Sequence, residues 1–155
     1  RDGELQQIAP PDQIYDRPAN RFVATFVRSP AMNVLTAALD GDGVRVGGAR
    51  VALAAHRADA CRAANATEIG VRPEDLAVVD NGRGVFAAEV YVVEPMGNET
   101  LVDLRIAGER LTVRAARGFT APIGSSVGVT FDPDNACFFD ASGTTVVHRA
   151  PNKGG

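Results

Sequence analysis

VFAAEVYVVEPMGNETLVDLRIAGERLTV, residues 85–113, is the stretch whose reading decides the fold. Three apolar-rich runs, 85–93, 100–106 and 111–113, are separated by breaks containing Pro95, Gly97-Asn98 and Gly108-Glu109. Gly and Asn reach the positive φ values of tight turns, and Pro95 has no N–H to give to a ladder. Three antiparallel strands joined by turns are the simplest reading. The same spacing continues on both sides, with strands expected over 68–71, 76–79, 127–131, 137–139 and 144–147. Their punctuation is Asp80-Asn81-Gly82, Pro122-Ile123-Gly124, Asp132-Pro133-Asp134 and Ser142-Gly143. Short strands at this spacing predict a mainly β chain, an antiparallel barrel or sandwich.

Upstream the periodicity differs. Pro10 and Pro11 can open a helix that Pro18 stops just after Asp16, with Ile14 and Tyr15 on its apolar side. Asn20 stands as an N-cap before Phe22, Val23, Phe26 and Val27 at helical spacing, and Ser29-Pro30 ends the pattern. Phe22 and Phe26 are expected to pack this second helix on the β body, or else to meet another domain. From Met32 the period becomes two. Val34-Leu35, Val44 with Val46, and Val51 with Leu53 alternate around the turns at Asp40–Gly43 and Gly47-Gly48, which predicts a small meander. Residues 54–66 are Ala-rich and read as a surface helix or a connection.

A chain of 155 residues fits one domain with a small appendage and can bury a core. With 45% hydrophobic and 23% charged residues, a net charge of −3 and a pI near 5.3, it offers no basic surface for nucleic acid. Cys61 and Cys137 match no metal-ligand spacing and read as reduced thiols. No apolar run approaches the roughly 18 residues of a membrane-spanning helix, and the start RDGELQQIAPP lacks the apolar core of a signal peptide.

Catalytic constellations are missing. The phosphate-cradling pattern G-x-x-x-x-G-K-[ST] does not occur, and the only lysine is Lys153. His56, near Asp59 and Cys61, and the distant His148 fit no ligand spacing, so surface or packing roles are expected for both. Ser125-Ser126 follows Gly124 without a G-x-S-x-G elbow and reads as a turn. Within VVEPMGNET, 92–100, Glu94 and Glu99 flank the turn at Gly97-Asn98. A hard cation would want several more oxygens than these supply. The stretch is therefore either a solvated hairpin tip or a loop whose carboxylates meet arginines of another chain.

Four stretches carry a resemblance: RDGELQQIAPPDQIYDRPANRFVATFVRSPAMNVL at 1–35, GVRPEDL at 70–76, VVEPMGNET at 92–100 and FDPDNACFFDASGT at 131–144. In this order they resemble the C-terminal part of carbohydrate-uptake ABC transporter ATPases, of the maltose and glycerol-3-phosphate transporter type. Segments 36–66 and 107–126 match by position only. Arg28 replaces a usual Gly before Ser-Pro, and Ala9 replaces the usual Gly after Gln-Ile.

The resemblance implies an OB-like antiparallel barrel with a TOBE segment, preceded by two short helices. Residues 1–30 would be the end of the nucleotide-binding domain hairpin and a helical linker, 31–150 the regulatory domain and 151–155 a flexible tail. Residues 1–7, with Asp2-Gly3 at a turn, would be half of a hairpin whose partner strand is missing, in keeping with a start other than Met. The implied function is non-catalytic regulation and dimerisation of an ATP-binding importer subunit at the inner face of the cell membrane. No cofactor is expected in this chain, ATP and Mg belonging to the missing nucleotide-binding domain. The implied partners are a second copy, that ATPase domain, permease subunits and a regulatory protein, with no nucleic acid.

On this resemblance Arg72, Glu74 and Asp75 of GVRPEDL form a polar exposed corner suited to a partner, the alternative being a helical turn linking two strands. Glu94, Asn98 and Glu99 complete the expected interface. The rival function is a free-standing oxyanion-binding module, for which Arg114, Arg117 and Gly118 are the residues that could form an anion nest.

Overall fold

The computed structural model describes residues 4, 6–26 and 30–151. The hairpin expected over 1–7, the positions Val27 and Arg28, and tail residues 152–155 lie wholly or mainly outside the described residues. Two short helices, α1 (Pro11–Asp16) and α2 (Arg21–Phe26), precede the strands. Proline at its first position opens α1. Asn20 caps α2 as its sequence predicts, its side-chain oxygen accepting the Val23 N–H at 2.9 Å.

Strands β1 (Asn33–Thr36), β2 (Ala38–Asp40), β3 (Gly43–Val46) and β4 (Ala49–Ala52) follow, then α3 (Ala55–Ala64). Beyond it lie β5 (Glu68–Val71), β6 (Leu76–Val79), β7 (Phe86–Pro95), β8 (Glu99–Ile106), β9 (Glu109–Ala116), β10 (Ser126–Phe131), β11 (Cys137–Phe139) and β12 (Thr145–Val147). Short 3-10 turns at Pro73–Asp75 and Pro133–Asn135 interrupt the series. Two strands of the expected meander, around Val44 with Val46 and around Val51, are β3 and β4 of the sheet β2-β3-β4, but Val34-Leu35 lies on β1 in another sheet and β2 takes its place. The deciding stretch folds as β7-β8-β9 within a five-stranded antiparallel sheet ordered β6-β10-β7-β8-β9. Its edge strands β6 and β9 lie near each other without a shared ladder, so the sheet curls strongly and stays open.

The third sheet, β1-β5-β11-β12, gathers strands from both ends of the sequence. Asn33 on β1 fastens it to the larger sheet, exchanging 2.8 Å hydrogen bonds with the backbone N–H and C=O of Thr112 on β9. The N-terminal helices clip onto the β12 edge. Arg21 N–H donates to Gly143 O at 2.7 Å and Thr145 N–H to Ala19 O at 3.1 Å.

A single apolar core joins all three sheets, with Val44, Val90, Val102, Leu104, Leu111, Val113, Val129 and Phe138 fully or nearly fully buried. Along β8 burial alternates strictly, Thr100, Val102, Leu104 and Ile106 facing in, as a half-buried strand requires. A smaller cluster of Ala24, Met32, Cys137 and Phe139 seats α2 on the other sheet. Gly70 belongs there because a Cβ would stand 2.6 Å from Met32 Sδ and 2.9 Å from Cys137 Sγ. The β8–β9 turn is Ala107-Gly108, with φ of 48° and 82°, so the positive-φ pair of this tight hairpin begins one residue before the expected Gly108-Glu109.

Candidate interaction surfaces

The GVRPEDL corner joins β5 to β6 through the 3-10 turn at Pro73–Asp75, which is the linking-turn reading of the sequence. The expected exposed polar corner is corrected at Arg72. That residue is 2% exposed, because α1 and α2 cover it. Its guanidinium donates to Tyr15 O at 2.9 Å and Ala24 O at 3.2 Å and lies 4.0 Å over the Tyr15 ring. Desolvation at this buried position pulls its pKa below the ordinary arginine value. Glu74 remains exposed and accepts the Tyr15 hydroxyl. Asp75 is half-buried, its carboxylate 3.5 Å from Arg149; burial raises its pKa and Arg149 opposes the rise. The corner is thus a clasp that closes on α1, α2 and the segment after β12.

At the other candidate, the chain reverses between Pro95 and Thr100. The Met96 N–H donates to Glu99 O at 2.8 Å, and Gly97 has φ of 95°. Glu94 and Asn98 project into solvent, whereas Glu99 pairs within the chain, 3.2 Å from Arg114 Nε. A register shift between Val90 and Val92 places an extra residue in β7. This bulge turns Tyr91 and Val92 outward, 51% and 41% exposed, and lets Val93 face inward. Arg105 covers Tyr91 at 3.9 Å, and Met96 at the tip is half exposed. Strict alternation along the sequence would have buried Val92, so this apolar margin beside the two acids is legible only in the pairing.

The other sequence candidates separate in space. His56 is exposed, Asp59 pairs with Arg62 at 2.6 Å and Cys61 is fully buried. Burial raises the Cys61 thiol to about 11 and the Cys137 thiol to about 12, so neither is poised as a nucleophile. Among the described residues no group of three or more His, Cys, Asp or Glu side chains could hold a metal. Ser125 is a turn residue, its hydroxyl donating to Pro122 O at 2.6 Å. Arg114 is engaged by Glu99, so the nest expected from Arg114, Arg117 and Gly118 has one of its two arginines already paired.

Two features escape the sequence reading. α3 is no mere connection, since it buries Arg57, Ala58 and Cys61. Arg57, 4% exposed, donates to the carbonyls of Ala136 at 2.6 Å, His148 at 2.7 Å and Pro133 at 3.3 Å. The only available signal was its place beside Ala58 and one turn before Cys61 on a single helix face. Helix α2 seats Val23 and Ala24, whereas Phe26 is 70% exposed and stacks on Phe22 at 5.7 Å. The expected packing of both phenylalanines on the β body is corrected for Phe26. The backbone clips at Ala19 and Gly143 turn that face outward.

Comparison with known proteins places these surfaces in a family context. The MalK OB fold domain matches residues 29–76, and the TOBE domain matches residues 69–139. The xylose/arabinose import ATP-binding protein XacK of Haloferax volcanii is 38% identical over 90% of this chain and 38% of its own length. The sn-glycerol-3-phosphate import ATP-binding protein UgpC of Chromobacterium violaceum is 36% identical over 90% of this chain and 38% of its own. The sulfoquinovosyl glycerol transport ATP-binding protein SmoE of Agrobacterium fabrum is 30% identical over 96% and 42%. The chain therefore spans about two fifths of the length of these relatives. Among solved structures, the cytoplasmic molybdate-binding protein ModG aligns with 67% of this chain and 92% of its own at 15% identity. Its TM-score of 0.48 is too low to carry an argument about ligands.

Proposed function

Because the chain belongs to the family of MalK-type OB folds continued by a TOBE domain, as found in ATP-binding subunits of ABC importers, we propose that it is the non-catalytic regulatory and dimerisation domain of such a subunit. Sugars or related solutes are the cargo class of the parent protein on this reading. The observation that carries it is the consecutive match of both domains over 29–139, supported by the clasp through which Arg72 holds the preceding helices. Such a clasp couples the OB and TOBE body to whatever the N-terminal helices join. The partners that follow are an ATPase domain, permease subunits and a regulatory protein, with the assembly at the cytoplasmic face of the membrane. Among the described residues no helix is long and apolar enough to cross it.

On this reading the chain itself neither binds nor hydrolyses ATP, because it has no Lys-bearing phosphate loop. Equilibrium titration with a fluorescent ATP analogue should give no saturable signal, and a saturable one would overturn the non-catalytic assignment.

Self-association is the second element of the proposal, as a weak two-fold dimer. Arg72 and Asp75 are committed inside the clasp, Glu74 holds the Tyr15 hydroxyl and Glu99 pairs with Arg114, which leaves Glu94 and Asn98 of the β7–β8 tip, flanked by Tyr91, Val92 and Met96, as the favoured contact. A dissociation constant in the micromolar range is expected for a contact of transient size. Glu94→Ala should weaken it by less than about fivefold, as for a rim charge. Light scattering across a concentration series checks this, and a strictly monomeric chain at millimolar concentration ends the dimer.

A further inference from the structure

The chain has two histidines, and both line one groove. His56 comes from α3, His148 from the segment just after β12, and Arg17 from the residue that ends α1. Arg57 and Arg149 complete its basic lining, and the groove holds about 300 Å³. An adjoining recess of about 260 Å³ shares Arg17 and Arg149 and adds Asp16.

The donors on this groove divide into committed and uncommitted ones. Arg57 donates to three backbone carbonyls and lies 3.7 Å from Asp134. Arg149 donates to Asn135 at 3.0 Å and to Asp75 at 3.5 Å. By contrast, the side chains of Arg17, His56 and His148 make no hydrogen bond or ion pair among the described residues. His148 Nδ1 is shielded from solvent without a partner. Burial, and then the charge of Arg17, depresses the His148 pKa, so the two groups repel across the groove. A fork of guanidinium donors and two imidazoles is brought together from three segments, and Asp16 in the adjoining recess makes no ion pair with Arg17, His56 or His148 among the described residues.

We propose that this groove binds a phosphate-type dianion, either free phosphate or the phosphoryl end of a monoester, with Arg17, His56 and His148 as its donors. A carboxylate would be saturated by one bidentate arginine, whereas a tetrahedral dianion has oxygens for donors arriving from several directions. The volume is several times the ~30 Å³ share of a water molecule, which leaves room for a small organic group beside the phosphoryl. A bound dianion reverses the local field and favours imidazolium. The charged groups lining the groove with the imidazoles are Arg17 at the end of α1, Arg57 on α3 and Arg149 on the same segment as His148, with Asp16 in the adjoining recess and Asp134 behind Arg57 at 3.7 Å. The inference stands on the groove and goes beyond the importer-subunit assignment.

The test is a proton NMR titration of the two histidine Cε1–H signals in the full chain with inorganic phosphate, with methyl phosphate as a minimal monoester, and with sodium chloride at matched ionic strength. Saturable shifts of both signals with phosphate or methyl phosphate, absent with chloride, are expected. Tighter binding of methyl phosphate identifies a monoester as the ligand class, and tighter binding of phosphate the free ion. Arg17→Gln, at an exposed position, should weaken binding about tenfold, and so should His56→Gln. Arg117→Gln, outside the groove, should leave it unchanged. Shifts that do not saturate, that chloride reproduces, or that survive both groove substitutions would overturn the site.

Discussion

Arg57→Ala is expected to lower the unfolding free energy by about 3 kcal/mol, since the substitution strips a buried cation from three carbonyls at once. The Ala136 carbonyl belongs to a fully buried residue, and the two others sit where α3 meets the segment flanking β11 and β12. Without the guanidinium these acceptors keep the cost of desolvation and lose their partner. The contacts join residue 57 to residues 133–148, so the loss loosens a long-range junction rather than a local turn. Arg57→Lys should recover little, because one ammonium on a flexible stem cannot reproduce a planar fork. Urea unfolding followed by circular dichroism measures the effect, and a loss below about 1 kcal/mol would reduce Arg57 to a surface-like contact.

A comparable loss, about 3 kcal/mol, is expected for Arg72→Ala, with a different spatial signature. Arg72 holds the carbonyls of Tyr15 and Ala24 and stacks on the Tyr15 ring, so its removal loosens α1 and α2 from the β body first. Amide exchange should quicken across 14–24 while the β8 and β9 amides keep their protection. Tyr15→Phe, which removes only the exposed hydroxyl contact with Glu74, should cost much less. Uniform destabilisation across both regions would contradict the clasp. On the family reading this experiment also reports on coupling, because the helices Arg72 holds lead toward the expected ATPase domain.

Much of the architecture is legible before any coordinates. Apolar alternation with Gly, Asn and Pro punctuation locates β5 to β12 within a few residues, and Asn20 marks the start of α2. The two-residue period is local, since every half-buried strand repeats it. Errors occur where distant segments meet. The sequence reads Arg72 as exposed because an arginine beside Pro-Glu-Asp looks like a surface turn, and only the approach of Tyr15, 57 residues away, buries it. It reads 54–66 as a surface helix or a connection, and misses the buried face because alanine carries little hydrophobic signal, although Ala58 and Cys61 pack in the core.

The candidate surfaces follow the same division. Composition and turn chemistry alone place Glu94 and Asn98 at an exposed reversal and exclude a phosphate loop, because both depend on neighbouring residues in the chain. The outward turn of Tyr91 and Val92 depends on a bulge set by pairing with β8. The basic groove depends on bringing residues 17, 56 and 148 together. The sequence by itself determined the strands, their turns and the family, since these reside in local period and contiguous motifs. Tertiary structure alone decided which arginines are buried, which aromatics face outward and where uncommitted cations converge, because burial and electrostatic fields are summed over neighbours that the order of the chain does not name.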